Sequence, residues 1–282
     1  MRSVVITGVS TGIGWATAKV LTEGGFHVFG SVRKQADADR LKGDFGERFT
    51  SLMFDVTDEA AIGKAANEVR AALKGETLAG LINNAGVAVA GPLLHLKPED
   101  FRWQMEINLT SLLLVTQACA PLLGSDPDLK GPKGRILNIG STGGRNANPF
   151  MGPYCASKFA LEGFSESLRR ELIGFGIDVI VIAPGAIVTP IWDKAEDLAL
   201  TPYLNTTYAA ALKGFRDYMV ANGAKGLPAA QVGETCKTAL TVAQPKVRYE
   251  VRRRNLQGMI QGLLPKRTID RVMGKQLGLL RD

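Results

Sequence analysis

The segment 2–21 constrains the fold more than any other, because it predicts a strand, a glycine-rich turn and a helix in immediate succession. Residues 2–7 form a short run rich in apolar β-branched side chains, which is typical of a buried parallel strand. Gly8, Gly12 and Gly14 follow, and apolar residues then recur at helical spacing over 16–21. A strand that turns tightly into a helix is the first unit of an α/β sheet.

The same alternation of strand and helix continues along the chain. Apolar runs predict strands near 3–7, 27–31, 50–54, 78–82, 134–140, 177–183 and 247–251. Helical patterns fall between them, so we expect an α/β fold of the Rossmann type. It would be a single domain with a doubly wound parallel sheet of about seven strands and helices on both faces. The loops that follow the strands would then meet at the carboxyl edge, where such folds bind ligands.

The glycine-rich turn is a candidate phosphate-binding loop. Glycines let the backbone turn tightly and approach a pyrophosphate, and the helix N-terminus offers free N–H groups and the positive end of a dipole. The spacing is Gly-x-x-x-Gly-x-Gly, which differs from the common G-x-G-x-x-G fingerprint. A plain turn is the alternative interpretation. The candidate cofactor-binding residues here are Gly8, Ser10, Thr11, Gly12, Ile13 and Gly14.

The end of the second predicted strand bears on the choice of cofactor. NAD sites commonly place an acidic residue there to bind the ribose 2′-hydroxyl. This chain has Ser31 near that position, followed by Arg33. A guanidinium pairs with a 2′-phosphate that a carboxylate would repel, so the sequence favours NADP(H), with NAD(H) possible. The alternative is that Arg33 only begins a solvated loop.

Tyr154, Lys158 and Ser141 form a candidate catalytic set. Tyr154 and Lys158 are four residues apart, which places both side chains on one face of a helix. A phenol titrates near ~10, so removal of its proton at pH 7 must be favoured by about 4 kcal/mol. A neighbouring cation has the sign that favours the phenolate, so we expect Lys158 to lower the pKa of Tyr154. Alone, the pair could equally be an exposed helix pair.

With these motifs in hand, the sequence resembles the short-chain dehydrogenase/reductase family from about residue 1 to about residue 250. The matching motifs are Thr7-Gly8-x-x-x-Gly12-x-Gly14, Asp55-Val56, Asn83-Asn84-Ala85-Gly86, Asn108, Ser141, Tyr154-x-x-x-Lys158, Pro184-Gly185 and Thr189. The amino-acid sequences of three segments resemble those of the family branch that contains retinol, hydroxysteroid and 3-hydroxybutyrate dehydrogenases. These segments are 144–149, 153–159 and 164–172.

The resemblance implies an oxidoreductase that interconverts a ketone or aldehyde and an alcohol. It assigns the catalytic roles to Asn108, Ser141, Tyr154 and Lys158, with Tyr154 and Lys158 also contacting the cofactor. It implies further cofactor contacts at Asp55, Val56, Asn84, Ala85, Gly86, Pro184, Gly185 and Thr189. It also implies a homodimer or homotetramer, built on helices at 99–123 and 152–175.

The substrate is left open between two classes. The segment 186–226 is rich in apolar and aromatic residues, among them Trp192, and as a lid it would suit a steroid, retinoid or fatty carbonyl. These residues could equally pack a helix pair onto the body of the domain. Arg145, close to Ser141, could instead clamp a carboxylate, which would favour an NAD-dependent dehydrogenase of a small hydroxy acid. The candidate substrate contacts are Ser141, Arg145, Tyr154 and Trp192.

The carboxyl-terminal tail carries the whole excess charge. From Lys246 to Asp282 there are ten basic and three acidic residues, which equals the net charge of +7 for the chain. Its apolar residues recur at helical spacing on either side of Pro265. Such a tail could lie on an anionic membrane, but we favour helices that pack on the same domain. We therefore divide the chain into a catalytic domain over 1–250 and a basic amphipathic extension over 251–282.

Other classes of function are less consistent with the sequence. Three widely spaced cysteines favour free thiols over disulfides or a metal site. A nucleophile elbow needs G-x-S-x-G, and Ile139 occupies the first glycine position before Ser141, which argues against a serine hydrolase. The basic tail has no aromatic platform for nucleic acid. No signal peptide or membrane-length apolar run is evident, so we expect a cytoplasmic protein. A non-catalytic dinucleotide-binding sensor or scaffold remains the alternative from another class.

Overall fold

The computed structural model describes residues 2–189, 201–253 and 264–280. Up to the fourth strand, the elements are β1 Ser3–Ile6, α1 Gly12–Glu23, β2 His27–Val32, α2 Gln35–Phe45, β3 Phe49–Met53, α3 Glu59–Leu73 and β4 Gly80–Asn83. They are followed by α4 Pro98–Met105, α5 Ser111–Cys119, β5 Arg135–Ile139, α6 Gly152–Glu171, β6 Asp178–Pro184 and β7 Ile187–Val188. The last elements are α7 Ala209–Ala224, β8 Leu227–Pro228, α8 Ala230–Thr241, β9 Arg248–Val251 and α9 Lys266–Gln276.

Among the described residues, seven strands form one parallel sheet in the order β3-β2-β1-β4-β5-β6-β9. The order runs outward from β1 to β3 on one side and from β4 to β9 on the other. The topological switch point therefore lies between β1 and β4, where doubly wound sheets bind their ligands. The predicted fold class and the seven predicted strand positions are confirmed. A separate parallel ladder pairs β7 with β8.

Two apolar layers cover the sheet. One layer packs α1 and α8 on one face, with Leu21, Val232 and Cys236 buried in it. Gly233 on α8 lies so close to α1 that a Cβ there would be 3.1 Å from the Thr17 Cα. The other layer packs α3 and α5 on the opposite face, where Ile62 and Val115 are buried. Each fully buried aliphatic side chain contributes about 1.5–3 kcal/mol, so both layers stabilise the sheet.

Helix α3 shows how local sequence sets an element. The Asp58 carboxylate caps its N-terminus by accepting a hydrogen bond from the Ala61 N–H at 3.0 Å. Lys74 ends the helix in the left-handed conformation, with φ of 51°. The buried residues recur every three or four positions, at Ile62, Ala65, Val69 and Leu73.

The helical stretch Pro98–Leu123 departs from expectation in two ways. It is interrupted by a π-helical segment, Glu106–Thr110, between α4 and α5. By length and composition alone it is also apolar enough to cross a membrane, although no such run was expected from the sequence. Half of its most apolar window is buried inside the protein. That burial is what a core helix of the domain requires, and the stretch carries the buried Asn108.

Candidate active site

The glycine-rich loop lies at the carboxyl end of β1, as predicted. Gly8 and Gly12 have φ of 69° and 61°, a conformation that side chains with a Cβ rarely adopt. A Cβ at Gly14 would lie 2.1 Å from the Gly8 carbonyl oxygen, so only glycine lets this turn close. Thr11 precedes α1 without a side-chain cap, so the first N–H groups of α1 keep no intrahelical or capping partner. This geometry fits a pyrophosphate.

Thr7 and Asn84 join the two strands at the switch point. The Thr7 hydroxyl accepts hydrogen bonds from the backbone N–H groups of Asn84 and Ala85, both at 2.9 Å. The Asn84 amide in turn donates to the Thr7 and Gly8 carbonyls at 2.8 and 2.9 Å. The predicted residues of the β4 loop therefore fix the shape of the glycine loop.

The cofactor-binding residues predicted after the second and third strands also come together. The Gly8 N–H donates to the buried Ser31 hydroxyl at 2.8 Å. Arg33 lies 3.4 Å from the Asp55 carboxylate, and its side chain is 74% exposed. Burial raises the pKa of the Asp55 carboxyl, but hydrogen bonds from Thr57 and the neighbouring Arg33 outweigh it and hold that pKa below its usual value. The pair places an accessible guanidinium beside the end of β2.

Arg40 is a residue of this region that sequence reasoning missed. Its guanidinium donates to the Ser10 carbonyl in the glycine loop at 2.6 Å. It also pairs with Asp37 and Asp44 on α2, at 3.1 and 3.2 Å. The ion pairs of Arg40 on α2 could be predicted, because Asp37 and Asp44 lie three and four residues away. The contact with Ser10 could not be predicted, because Ser10 is thirty residues away in sequence.

Tyr154, Lys158 and Ser141 meet at the carboxyl ends of β5 and β6. Tyr154 and Lys158 lie one turn apart on α6, with the Lys158 Nζ 5.8 Å from the phenol ring centroid. The Lys158 Nζ donates to the Ile139 carbonyl at 2.8 Å. The Ser141 hydroxyl accepts from the Gly143 N–H at 3.0 Å and also hydrogen-bonds the Tyr154 side chain. The predicted set is brought together.

Burial dominates the electrostatics of this set. Burial lowers the pKa of the Lys158 ammonium to about 8. Burial raises the pKa of the Tyr154 phenol, the hydrogen bond with Ser141 offsets this in part, and Cys155 raises it further. The net pKa of Tyr154 lies above its ordinary value, which corrects the expectation that Lys158 lowers it. The physical reason is that burial of the phenol outweighs its hydrogen bond with Ser141, while the Lys158 ammonium donates to the Ile139 carbonyl.

Asn108 lies in the π-helical segment and is buried. Its Oδ1 accepts from the Val87 N–H at 2.9 Å, and its Nδ2 donates to the Val87 carbonyl and to the Ser157 hydroxyl, both at 3.0 Å. Ser157 donates to the Tyr154 carbonyl at 2.8 Å, so it connects Asn108 to α6. Asn108 and Lys158 line the same small internal cavity. Sequence reasoning missed Ser157.

The loop after β6 reaches the glycine-rich turn. The Gly185 N–H donates to the Val251 carbonyl at 3.0 Å, which ties the end of β6 to β9. Thr189 lies over the glycine loop, with its Cγ2 3.6 Å from the place a Cβ would take on Gly12. The predicted Thr189 therefore lies next to the glycine loop.

An apolar cluster adjoins Tyr154, and we call it the Tyr154 cluster. It combines the segment before α6, helix α7 and the end of the tail, and Tyr154 lies partly buried in it. Its buried members are Phe150, Met151, Cys155, Tyr203, Ala211, Leu212, Phe215 and Leu277. The phenol of Tyr154 thus lies between polar Ser141 and an apolar surface.

Two predicted substrate contacts, Arg145 and Trp192, remain to be located. Arg145 lies 3.5 Å from the Glu162 carboxylate, so its charge already has a partner. Trp192 lies outside the described residues, as do 254–263 of the tail. The three cysteines are buried and free, as expected. In the described ranges, no group of three or more His, Cys, Asp or Glu side chains could hold a metal ion.

Comparison with known proteins gives the family of the chain. Residues 2–199 match the family described as short chain dehydrogenase. The chain belongs to this family. It is therefore an oxidoreductase of the short-chain dehydrogenase/reductase type, and its glycine loop and Ser141, Tyr154 and Lys158 lie inside the matched segment.

Individual family members resemble the chain over most of its length. The "NADPH-dependent 3-dehydrocapnine reductase" of Ornithobacterium rhinotracheale is 37% identical over 98% of both chains. The mitochondrial "D-beta-hydroxybutyrate dehydrogenase" of Rattus norvegicus is 30% identical over 88% of this chain and 76% of its own. A short-chain dehydrogenase structure from Streptomyces avermitilis shares the fold, with a TM-score of 0.77, 23% identity and coverage of 100% and 98%.

Proposed function

We propose that this protein is an NADP(H)-dependent oxidoreductase that interconverts a hydrophobic ketone or aldehyde and its alcohol. The observation that carries the proposal is the position of Tyr154, which hydrogen-bonds Ser141 on one side and borders an apolar cluster on the other. A carbonyl oxygen can meet the two hydroxyls while the carbon skeleton of the substrate lies on the apolar side.

The donors around the glycine loop fit a dinucleotide cofactor. Gly8, Gly12 and Gly14 form a cradle that any Cβ at Gly14 would fill, below the free N–H groups of α1. Arg33 presents an exposed guanidinium for a 2′-phosphate, which favours NADP(H) over NAD(H). The 37% identical relative is named NADPH-dependent, which supports this choice. When bound, the cofactor supplies the hydride and the protein supplies position and field.

The side chains of the site would hold and protonate the substrate oxygen. Ser141 and Tyr154 would donate hydrogen bonds to the carbonyl oxygen, and Tyr154 would transfer its proton as the alcohol forms. The raised pKa of Tyr154 keeps the phenol protonated at neutral pH, which suits reduction. Lys158 would hold the ribose hydroxyls of the cofactor. Asn108 holds Val87 and Ser157 in place and lines the cavity next to Lys158, so it is placed to assist reprotonation.

The tail is part of the same proposal. Leu277 is buried in the Tyr154 cluster and Leu279 packs against it, which supports an extension packed on the catalytic domain. The cluster also supports the lid proposed for 186–226, because Tyr203 and Phe215 lie in it. A membrane-bound tail would have to expose these leucines.

Assembly into a homodimer or homotetramer is supported by exposed apolar residues on the helices predicted to pair. Phe101, Trp103 and Leu113 on α4 and α5 are 37%, 50% and 40% exposed, and Phe159 on α6 is 46% exposed. A monomer mass at micromolar concentration in light scattering would contradict this part of the proposal.

A second candidate is an NAD-dependent dehydrogenase of a small hydroxy acid, and the name of the 30% identical relative, a hydroxybutyrate dehydrogenase, supports the substrate class. Arg145 is the residue that would bind the acid, and its side chain is 59% exposed despite its contact with Glu162. That ion pair would have to be broken for Arg145 to bind a substrate carboxylate, so we favour the hydrophobic substrate.

The test is oxidation of NADPH and of NADH with a steroid ketone, retinal, 2-decanone and acetoacetate, for the wild type and Arg33→Ala. We expect turnover with NADPH on an apolar carbonyl, and a loss of about tenfold in kcat/KM for NADPH in the variant, as for one charged hydrogen bond. NADH activity should change little. NADH turnover on acetoacetate would support the hydroxy acid dehydrogenase instead, and no turnover with any pair would support a non-catalytic binder.

A further inference from the structure

Phe150 occupies a backbone position that favours glycine. Its φ is 64°, and in the part of the chain that the structure describes only Lys74 shares a positive φ among non-glycine residues. The Met151 N–H donates to the Asn148 carbonyl at 3.3 Å, which closes a turn with Pro149 second and Phe150 third. A turn with proline second and a positive φ third is of type II, and that type prefers glycine in the third position.

The phenylalanine ring is held in place despite this unfavourable backbone. The Phe150 carbonyl accepts a hydrogen bond from the Gly91 N–H at 2.8 Å, which ties the turn to the loop after β4. The ring meets Phe215 and Tyr208 of the α7 region edge-on, at centroid distances of 5.5 and 5.9 Å. The side chain is only 8% exposed.

The place of the ring also connects it to the substrate side of the site. Phe150 stands four residues before Tyr154 and belongs to the same apolar cluster. A large side chain in a strained conformation beside a catalytic residue calls for a functional explanation, because glycine would satisfy the turn without strain. Because the cluster packs against Tyr154, it is an apolar surface close to any carbonyl that Tyr154 would hold.

We propose that the Phe150 ring is the contact surface for the apolar part of the substrate next to the carbonyl, and that it sets the preference for long over short ketones. This inference rests on the proposed function. It concerns specificity alone, since Phe150 has no group that takes part in proton transfer.

The test uses Phe150→Gly, which suits the turn and removes the ring together with its contacts to Phe215 and Tyr208. Lys74→Gly is the matched control, because it relieves the other positive φ at an exposed position that ends α3, away from the Tyr154 cluster. The measurement is kcat/KM for 2-decanone and for acetone with NADPH. We expect Phe150→Gly to lower the ratio of 2-decanone to acetone at least tenfold, mainly through KM, and Lys74→Gly to leave the ratio unchanged. A ratio within threefold of the wild type, or a higher one, would overturn the proposal.

A binding measurement separates this proposal from the proposed function. Titration of 2-decanone in a thermal shift assay should raise the Tm of the wild type and of Lys74→Gly, but not that of Phe150→Gly. This result would stand even if the wild type reduced no ketone, in which case only the proposed reaction would fail. Equal shifts in all three proteins would contradict the role of Phe150.

Discussion

At the scale of one residue, burial of the Lys158 ammonium in the candidate site lowers the stability of the protein. Its pKa lies at about 8, below the ordinary 10.5, because the ammonium is buried. Between these two values the unfolded chain binds a proton that the folded chain lacks, so stability rises with pH across the window from 8 to 10.5. Below pH 8 both states are protonated and the full penalty of burial, about 3 kcal/mol, destabilises the protein.

Lys158→Met should therefore stabilise the protein at neutral pH while it disables the site. The lost hydrogen bond to Ile139 costs about 1–2 kcal/mol, so we expect a net gain of about 1–2 kcal/mol at pH 7. The gain should shrink by pH 10, where the wild-type lysine is neutral. Urea unfolding at the two pH values measures both.

The exposed Lys64 on α3 provides the control for that experiment. Lys64→Met should change the free energy of unfolding by less than about 0.5 kcal/mol at pH 7, as surface substitutions do. If Lys158→Met destabilised the protein at pH 7, the hydrogen bond and packing of the lysine would outweigh the cost of burying its charge.

Tyr154→Phe tests the proton donor directly. The variant keeps the ring in the apolar cluster and removes only the hydroxyl that bonds Ser141. Because general acid catalysis contributes about 10²–10⁴-fold, we expect kcat to fall by that factor with little change in Tm. Tyr249→Phe on β9 removes a hydroxyl that accepts from the Lys246 N–H, outside the site, and should keep the wild-type kcat. Near-normal turnover of Tyr154→Phe would refute the mechanism.

At the scale of elements, the glycine loop was predictable because its constraint is local. Gly14→Ala should destabilise the protein by several kcal/mol, because the added Cβ would lie 2.1 Å from the Gly8 carbonyl oxygen and 2.6 Å from the Asn84 amide. Gly63→Ala on α3 is the matched change, since a Cβ there meets nothing within 4 Å. It should stabilise α3 by about 0.5–1 kcal/mol. Chemical unfolding of both variants would show opposite signs, and a shared sign would contradict the steric argument.

The π-helical segment could not be predicted in the same way. Asn108 matched a family motif, but its position in a segment with π-helical geometry depends on Val87 and Ser157, which are distant in sequence. The role of Gln104 could not be predicted either. Its side chain is fully buried, and its amide donates to the Val87 carbonyl and accepts from the Val89 N–H in the loop after β4. Polar residues inside a helix give no sign in sequence of which backbone groups they will satisfy.

At the scale of the whole molecule, the sheet could be predicted from the sequence, but the Tyr154 cluster could not. Apolar runs of strand length alternate with helical patterns, so strand positions and the switch point between β1 and β4 could be predicted. The Tyr154 cluster draws on segments up to Leu277, more than a hundred residues beyond Tyr154, and no local pattern specifies such a contact. The raised pKa of Tyr154 was missed for the same reason, because burial is a property of the assembled fold.

The tail is where the whole-molecule argument can be tested. Leu277 is 8% exposed in the Tyr154 cluster, whereas Leu280, three residues later, is 51% exposed. Leu277→Ala should destabilise the protein by about 2–5 kcal/mol, as for other buried leucines, and Leu280→Ala by less than about 0.5 kcal/mol. Equal small effects in urea unfolding would mean that the basic tail gains nothing from packing on the domain. Retention of the wild type on phosphatidylserine vesicles at low salt would then be the expected companion result, because a tail with this charge that is not held by its leucines is drawn to an anionic surface.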